Sequence, residues 1–136
     1  MVSVVFILVV LAALGAALTS ISRHQHLTSA ADLQAARAYQ AARAGMEWAA
    51  YWQFKVGRFI PSCIPDNTIV PGGTLSGFTV TLRCTLTGPF ADGVTNRTFW
   101  TLVANACNAP SGGTCPATGA VGETYVEREI VWTIVE

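Results

Sequence analysis

The stretch SAADLQAARAYQAARAGMEWAAYW, residues 29–52, decides the fold, because it predicts a helix with one face suited to packing. It is dominated by alanine, leucine, glutamine and arginine, which are good helix formers. Residues 22–55 contain no proline and a single glycine, Gly45. Apolar residues recur at helical spacing: Leu27, Ala31, Ala35, Ala38, Ala42, Met46, Ala49 and Ala50. The pattern predicts an amphipathic helix over residues 23–57.

The preceding stretch, MVSVVFILVVLAALGAALTSI, residues 1–21, has no ionisable side chain. Its polar side chains are Ser3, Thr19 and Ser20. A helix of this length rises roughly 30 Å, which is the thickness of a bilayer's hydrocarbon core. We therefore expect residues 1–22 to be a transmembrane segment that continues without a break into the amphipathic helix, giving one long N-terminal helix.

After Phe59 the sequence changes character, and residues 58–136 predict a β region. FIPSCIPDN and VPGGTLSG contain the proline and glycine that end helices and form loops. In residues 77–84, GFTVTLRC, Phe78, Val80, Leu82 and Cys84 alternate with Thr79, Thr81 and Arg83, which predicts a half-buried strand.

Two further strands are predicted, over about residues 97–107 and 125–135, with the connection PFADGVTN before the first of them. The core face of the last strand would carry Val126, Ile130, Trp132 and Ile134, interrupted by Arg128. Three or four antiparallel strands packed on the amphipathic half of one long helix make an α+β domain.

Four aromatic residues, Trp48, Tyr51, Trp52 and Phe54, crowd the end of the predicted helix. A ligand-binding cluster is one reading. We favour a second, in which they cover the sheet as core, because a small domain needs aromatic area for its stability.

The four cysteines are Cys63, Cys84, Cys107 and Cys115, all in the second half of the chain. An even number behind an apolar N-terminal segment favours two disulfides in an oxidising compartment. Three pairings are possible. We favour Cys107–Cys115, which closes a short loop, and Cys63–Cys84, which ties the end of the helix to the first clear strand.

The sequence offers little for catalysis, metal binding or nucleic acid. The net charge is zero and 12% of residues are charged, so no basic surface indicates nucleic acid. The two histidines, His24 and His26, would point about 200° apart on a helix, which disfavours a shared metal. No nucleophile, phosphate-binding or dinucleotide motif is present. We predict no enzyme activity and no cofactor.

An apolar N-terminal helix, its amphipathic continuation and a small disulfide-bonded β region together resemble the type IV pilin-like proteins. Within that family the chain is most similar to minor components of MSHA-type pili. Three parts carry the likeness: MVSVVFILVVLAALGAAL, then DLQAARAYQAARAGMEWAAYW, and the series GFTVTLRC, ANAC and YVEREI. The resemblance implies a structural subunit that a prepilin peptidase processes by removing a basic leader, and we expect this chain to be the processed form.

The resemblance has one departure. Most pilins carry a glutamate as the fifth residue of the mature chain, where it is thought to pair with a neighbour's N-terminal amine. That place falls on Val5, or on Ser3 if two residues precede Met1. Neither is a carboxylate, and within the family this absence usually marks a subunit at the filament tip.

The resemblance implies partners and locations as well as a role. The partners would be other pilin subunits and the inner-membrane pilus assembly machinery. The chain would lie in the bacterial inner membrane before assembly and in an extracellular pilus after it. Candidate assembly residues, named from their positions, are Ser3, Val5, Phe6, Gly15, Arg37 and Arg43. The alternatives are a repeating pilus subunit and a single-pass anchored periplasmic binding protein.

Overall fold

The computed structural model describes the backbone of residues 2–56 and 63–135, and the side chains of residues 3–19, 28–55 and 63–135. The chain divides into two compact units, Met1–Leu33 and Gln34–Glu136. The elements are α1 (Val2–Tyr51), a π-helical turn (Trp52–Val56), β1 (Asn67–Ile69), a 3-10 turn (Gly73–Leu75), β2 (Thr79–Asp92), β3 (Thr95–Cys107) and β4 (Glu127–Val135).

The first unit consists of the N-terminal part of α1. Among the described residues, no helix has a stretch both long and apolar enough to cross a membrane. The predicted transmembrane segment, residues 1–22, extends beyond the described side chains of residues 3–19, so it stays a prediction. The side chains of residues 20–22 lie outside the described part.

The second unit contains a four-stranded antiparallel sheet in the order β1-β2-β3-β4, packed on the C-terminal part of α1. This confirms the predicted α+β class. β2 and β3 pair from Thr79 opposite Cys107 to Asp92 opposite Thr95, and β4 then pairs along β3.

The hairpin that joins β2 to β3 is longer than the sequence predicts. The predicted connection PFADGVTN, residues 89–96, lies mostly in the two strands, and the turn itself is only Gly93 and Val94. Gly93 has a φ of 62°, a conformation that glycine adopts without steric cost and that tight hairpin turns require. A ladder irregularity between Thr87 and Phe90 lets the pairing continue past Gly88 and Pro89.

The core lies between one face of α1 and one face of the sheet. Small side chains dominate the helix side: Ala38, Ala41, Ala42, Met46 and Ala49. The sheet contributes Phe78, Val80, Leu82, Leu102, Ala104 and Ala106. Phe78, Val80 and Leu82 are buried as their alternation predicts. The buried helix positions follow an i, i+3, i+4 spacing, which is the pattern of a helix that packs one face on a core.

The helix approaches the sheet most closely at Gly45. A Cβ atom added there would lie 2.6 Å from Cγ1 of Val80 and 3.3 Å from Cδ2 of Leu82. Only a residue without a side chain fits this contact, so Gly45 sets how near the helix backbone comes to β2.

The prediction that the four helix-end aromatic rings cover the sheet is wrong for three of them. Tyr51, Trp52 and Phe54 are 58%, 40% and 44% exposed, whereas Trp48 packs partly against the core. The buried position at this end of the helix belongs to Gln53, whose Oε1 accepts a hydrogen bond from the Ile64 N–H at 3.1 Å. The rings on either side of it are therefore turned away from the core.

The prediction for the core face of the last strand is correct in part. Val126, Ile130 and Ile134 are partly buried against the core, but Trp132 is 41% exposed. Arg128, the interruption in the pattern, is exposed. β4 is an outer strand of the sheet, so its side chains have a neighbouring strand on one side only.

Both favoured disulfides are present. Cys63 and Cys84 are joined with a Cα–Cα distance of 5.5 Å, and Cys107 and Cys115 with 5.8 Å. The second disulfide lays its loop against the sheet face opposite the helix. There the Cys115 N–H donates to Oγ1 of Thr81 at 2.8 Å. Thr81, predicted on the polar face, is consequently buried.

Candidate assembly surface

The described N-terminal part of α1 carries an exposed surface, residues 3–19, that is apolar except for Ser3 and Thr19 at its ends, and we call it the α1 apolar surface. Every described side chain in this range is exposed. Its large apolar members are between 39% and 68% exposed: Val4, Val5, Phe6, Ile7, Leu8, Val9, Val10, Leu11, Leu14 and Leu18. Exposed apolar area on this scale is typical of surfaces that contact a membrane or another protein, because contact with water is unfavourable at about 25 cal/mol per Å².

The α1 apolar surface surrounds the helix rather than forming one stripe. Ser3 and Phe6 are three residues apart and share a side of the helix, while Val5 lies about 200° from Ser3. All three are exposed. A helix that is apolar on every side is suited to being enclosed by other apolar groups rather than to resting on a single surface.

Gly15 gives this surface one position where a second backbone can approach. No described atom lies within 4 Å of a Cβ placed on Gly15, so the space beside it is open. Small residues at such positions allow close helix–helix contact. In the first turn of α1 there is no acidic residue, and the candidate position Ser3 carries a hydroxyl instead.

The two candidate arginines lie on α1 in the second unit, and both are exposed. Nε of Arg43 lies 3.0 Å from Oε1 of Glu47, one turn further along the helix, and the two side chains form an ion pair. Arg37 forms no ion pair with the described residues. The arginines are six residues apart, about 240° around the helix, so they do not form one basic patch.

Hydrogen bonds that the sequence did not predict fix the loop between β3 and β4. The Tyr125 hydroxyl accepts from the Ala117 N–H at 3.0 Å and donates to Oε2 of Glu127 at 2.7 Å. Asn108 spans the loop's ends, because its Nδ2 donates to the Thr124 carbonyl and its Oδ1 accepts from the Val126 N–H. Most of these partners are far apart in the sequence, and no sequence motif indicates that they form hydrogen bonds.

The environment of Tyr125 perturbs its titration. Burial raises the pKa of the phenol above its ordinary value, the Ala117 hydrogen bond lowers the pKa, and both the hydrogen bond and the charge of Glu127 raise it. The net direction is upward, so the phenol keeps its proton and continues to anchor the loop in moderately alkaline solution.

No metal centre is present within the described part of the chain, where no three potential ligands among histidine, cysteine, aspartate and glutamate come together. The side chains of His24 and His26 lie outside the described residues. Comparisons with protein-family models, with curated proteins and with solved structures find no match to this chain.

Proposed function

We propose that this chain is a minor pilin-like structural subunit of a type IV, MSHA-type pilus, similar to MshP. The observation that supports this most is the exposure of the α1 apolar surface on all sides of the helix. Such a helix is stabilised when other apolar helices surround it, which is the environment at the axis of a pilus filament. The second unit, with its two disulfides, would then contact neighbouring subunits outside that axis.

The proposal places this subunit at or near the filament tip, or in priming of the pilus. Neither Ser3 nor Val5 is a carboxylate. A tip subunit has no neighbour above it whose amine would need neutralising, and an unpaired buried carboxylate would be costly there. The partners are other major and minor pilin subunits, the prepilin peptidase and the inner-membrane assembly machinery. The inner-membrane location before assembly rests on the sequence and the resemblance alone.

Assembly through the α1 apolar surface is tested by comparing two substitutions with the same change of charge. Phe6→Asp puts a carboxylate at a position 68% exposed in the free chain. A buried unpaired charge costs several kcal/mol, so we expect incorporation into sheared filaments to fall by more than about tenfold. Val94→Asp, at a fully exposed turn residue of the second unit, is the matched control.

Quantitative mass spectrometry of sheared filaments, with the N-terminal peptide resolved, is the readout. A trace amount beside an abundant pilin, lost with Phe6→Asp and kept with Val94→Asp, supports a minor subunit. If the chain is the dominant species, it is the repeating subunit instead. Absence from filaments, with an uncleaved basic leader in the membrane fraction, would favour an anchored periplasmic binding protein.

A further inference from the structure

The two disulfides differ in how far solvent reaches them. Cys107 and Cys115 are both fully buried, whereas Cys63 and Cys84 are both partly exposed. Thiol–disulfide exchange requires a thiolate to approach one of the two sulfurs directly, so its rate depends on access. A small dithiol can therefore attack the Cys63–Cys84 disulfide in the folded protein, whereas it reaches the other disulfide only after the structure around it has opened.

Backbone contacts on both sides of the Cys107–Cys115 disulfide resist such an opening. Cys107 is the last residue of β3 and pairs with β2 on one side and β4 on the other. The Cys115 N–H donates to the buried Thr81 at 2.8 Å. Between the two cysteines, Ser111 and Thr114 exchange backbone hydrogen bonds of 3.0 and 3.1 Å. Since these contacts must break before a reductant enters, this disulfide should be reduced slowly.

The strand β1 lies inside the ring closed by the other disulfide, and few other contacts hold it on the sheet. Cys63 and Cys84 are 21 residues apart in sequence. β1 pairs with β2 over only three residues, and no strand within the described residues pairs with its outer side. Two of its three residues are exposed, while Ile69 and the preceding Ile64 pack partly against the core. The pairing of β1 therefore depends on how closely the ring confines it.

We propose that the Cys63–Cys84 disulfide is a reducible clamp that keeps β1 on the edge of the sheet. One thiolate of a small dithiol attacks one sulfur, forms a mixed disulfide and releases the other cysteine as a thiolate. The second thiol of the reductant then displaces the remaining cysteine. The products are two cysteine thiols, which carry the two protons of the reductant, and an oxidised cyclic dithiol.

Reduction changes the equilibrium between paired and unpaired β1. While the disulfide is intact, an unpaired β1 is still confined to a ring closed at Cys63 and Cys84. Once the ring is open, the unpaired segment gains conformational freedom, so pairing with β2 becomes less favourable. The Cys107–Cys115 disulfide and the pairing of β2, β3 and β4 remain. The clamp does not depend on the proposed pilus function.

The first test measures reduction of each disulfide in the folded wild type. The full chain, in a non-ionic detergent that solvates the α1 apolar surface, is treated with dithiothreitol without denaturant. Excess N-ethylmaleimide blocks the new thiols at successive times, and mass spectrometry of peptides assigns them. We expect Cys63–Cys84 to be reduced at least about tenfold faster than Cys107–Cys115, with the difference lost in guanidinium, where both are exposed. Equal rates in the folded protein, or faster reduction of Cys107–Cys115, would overturn the proposal.

Hydrogen exchange then measures whether the disulfide holds β1. The double variant Cys63→Ser with Cys84→Ser reproduces the open ring, and Cys107→Ser with Cys115→Ser is the matched control. We expect amides of β1 to exchange at least about fivefold faster in the first variant and to change little in the control. If the first variant does not fold, the selectively reduced wild type provides the same measurement. Exchange of β1 that is unaffected by loss of the disulfide would contradict the clamp, as would an equal acceleration in β1, β3 and β4, since that would be global destabilisation.

Discussion

Replacing Gly45 by alanine tests whether close helix–sheet approach holds the second unit together. The added Cβ would lie 2.6 Å from Cγ1 of Val80, well inside van der Waals contact. Val80 is fully buried and β-branched, so its methyl group cannot move aside freely. The helix must therefore shift from the sheet, or the valine must leave its rotamer.

Two opposing terms set the magnitude. Overpacking of a dense core costs about 1–3 kcal/mol. Alanine in place of glycine within a helix stabilises the folded state by roughly 0.5–1 kcal/mol. We expect Gly45→Ala to lower the free energy of unfolding by about 1 kcal/mol, although its helix propensity alone would raise it.

The assay is guanidinium unfolding of the full chain in non-ionic detergent, followed by near-ultraviolet circular dichroism. Ala44→Gly, at the exposed neighbouring position, measures the propensity term in the same turn of α1. In the double variant Gly45→Ala with Val80→Ala, the space left by the valine methyl groups should receive the new Cβ, so the loss should be smaller than the sum of the single losses. If Gly45→Ala instead raises stability by the amount that Ala44→Gly lowers it, contact with Val80 does not limit the size of the side chain at position 45.

Three further outcomes are expected from the same unfolding assay. Replacing Cys107 and Cys115 by serine opens a short loop and should cost about 2–3 kcal/mol. Reduction of the wild type should cost more, because it also opens the loop closed by Cys63 and Cys84. The raised pKa of Tyr125 makes its contribution to stability fully present below an unfolded tyrosine's pKa of about 10, and lost as pH rises through the higher folded value. Tyr125→Phe should therefore flatten the alkaline part of the stability–pH curve. Arg43→Gln removes an exposed ion pair and should cost only about 0.3–0.5 kcal/mol, less still at high salt.

The sequence was sufficient for the fold class, because its strongest signals are local. Alternation in residues 77–84 identified the buried face of β2. Of the three possible cysteine pairings, the preference for closing a short loop and for tying the helix end to the first clear strand selected the correct one. The hairpin was misjudged for an equally local reason. Gly88-Pro89 and Asp92-Gly93 both have turn chemistry, but only Gly93 lies in the turn, and nothing in the sequence distinguishes a turn from an irregular strand pair.

The helix faces were harder to predict because alanine occurs all round α1. Periodicity identified Ala38, Ala42 and Met46 correctly, yet it could not show that the sheet meets small residues and leaves Trp52 and Phe54 outside. The exposed apolar run at residues 3–19 could be predicted from composition. What covers it depends on other molecules, which no property of a single chain encodes directly.

The two disulfides also determine how the second unit would carry mechanical load. They close separate, non-overlapping rings, residues 63–84 and 107–115, and α1 belongs to neither. Tension that enters along the chain from α1 passes from Cys63 through sulfur to Cys84 and continues into β3. The segment between those cysteines, including β1 and the core residues Val80 and Leu82, lies outside this load path. Once α1 has been pulled from the sheet, the backbone between these two cysteines would therefore bear no tension as long as the disulfide is intact.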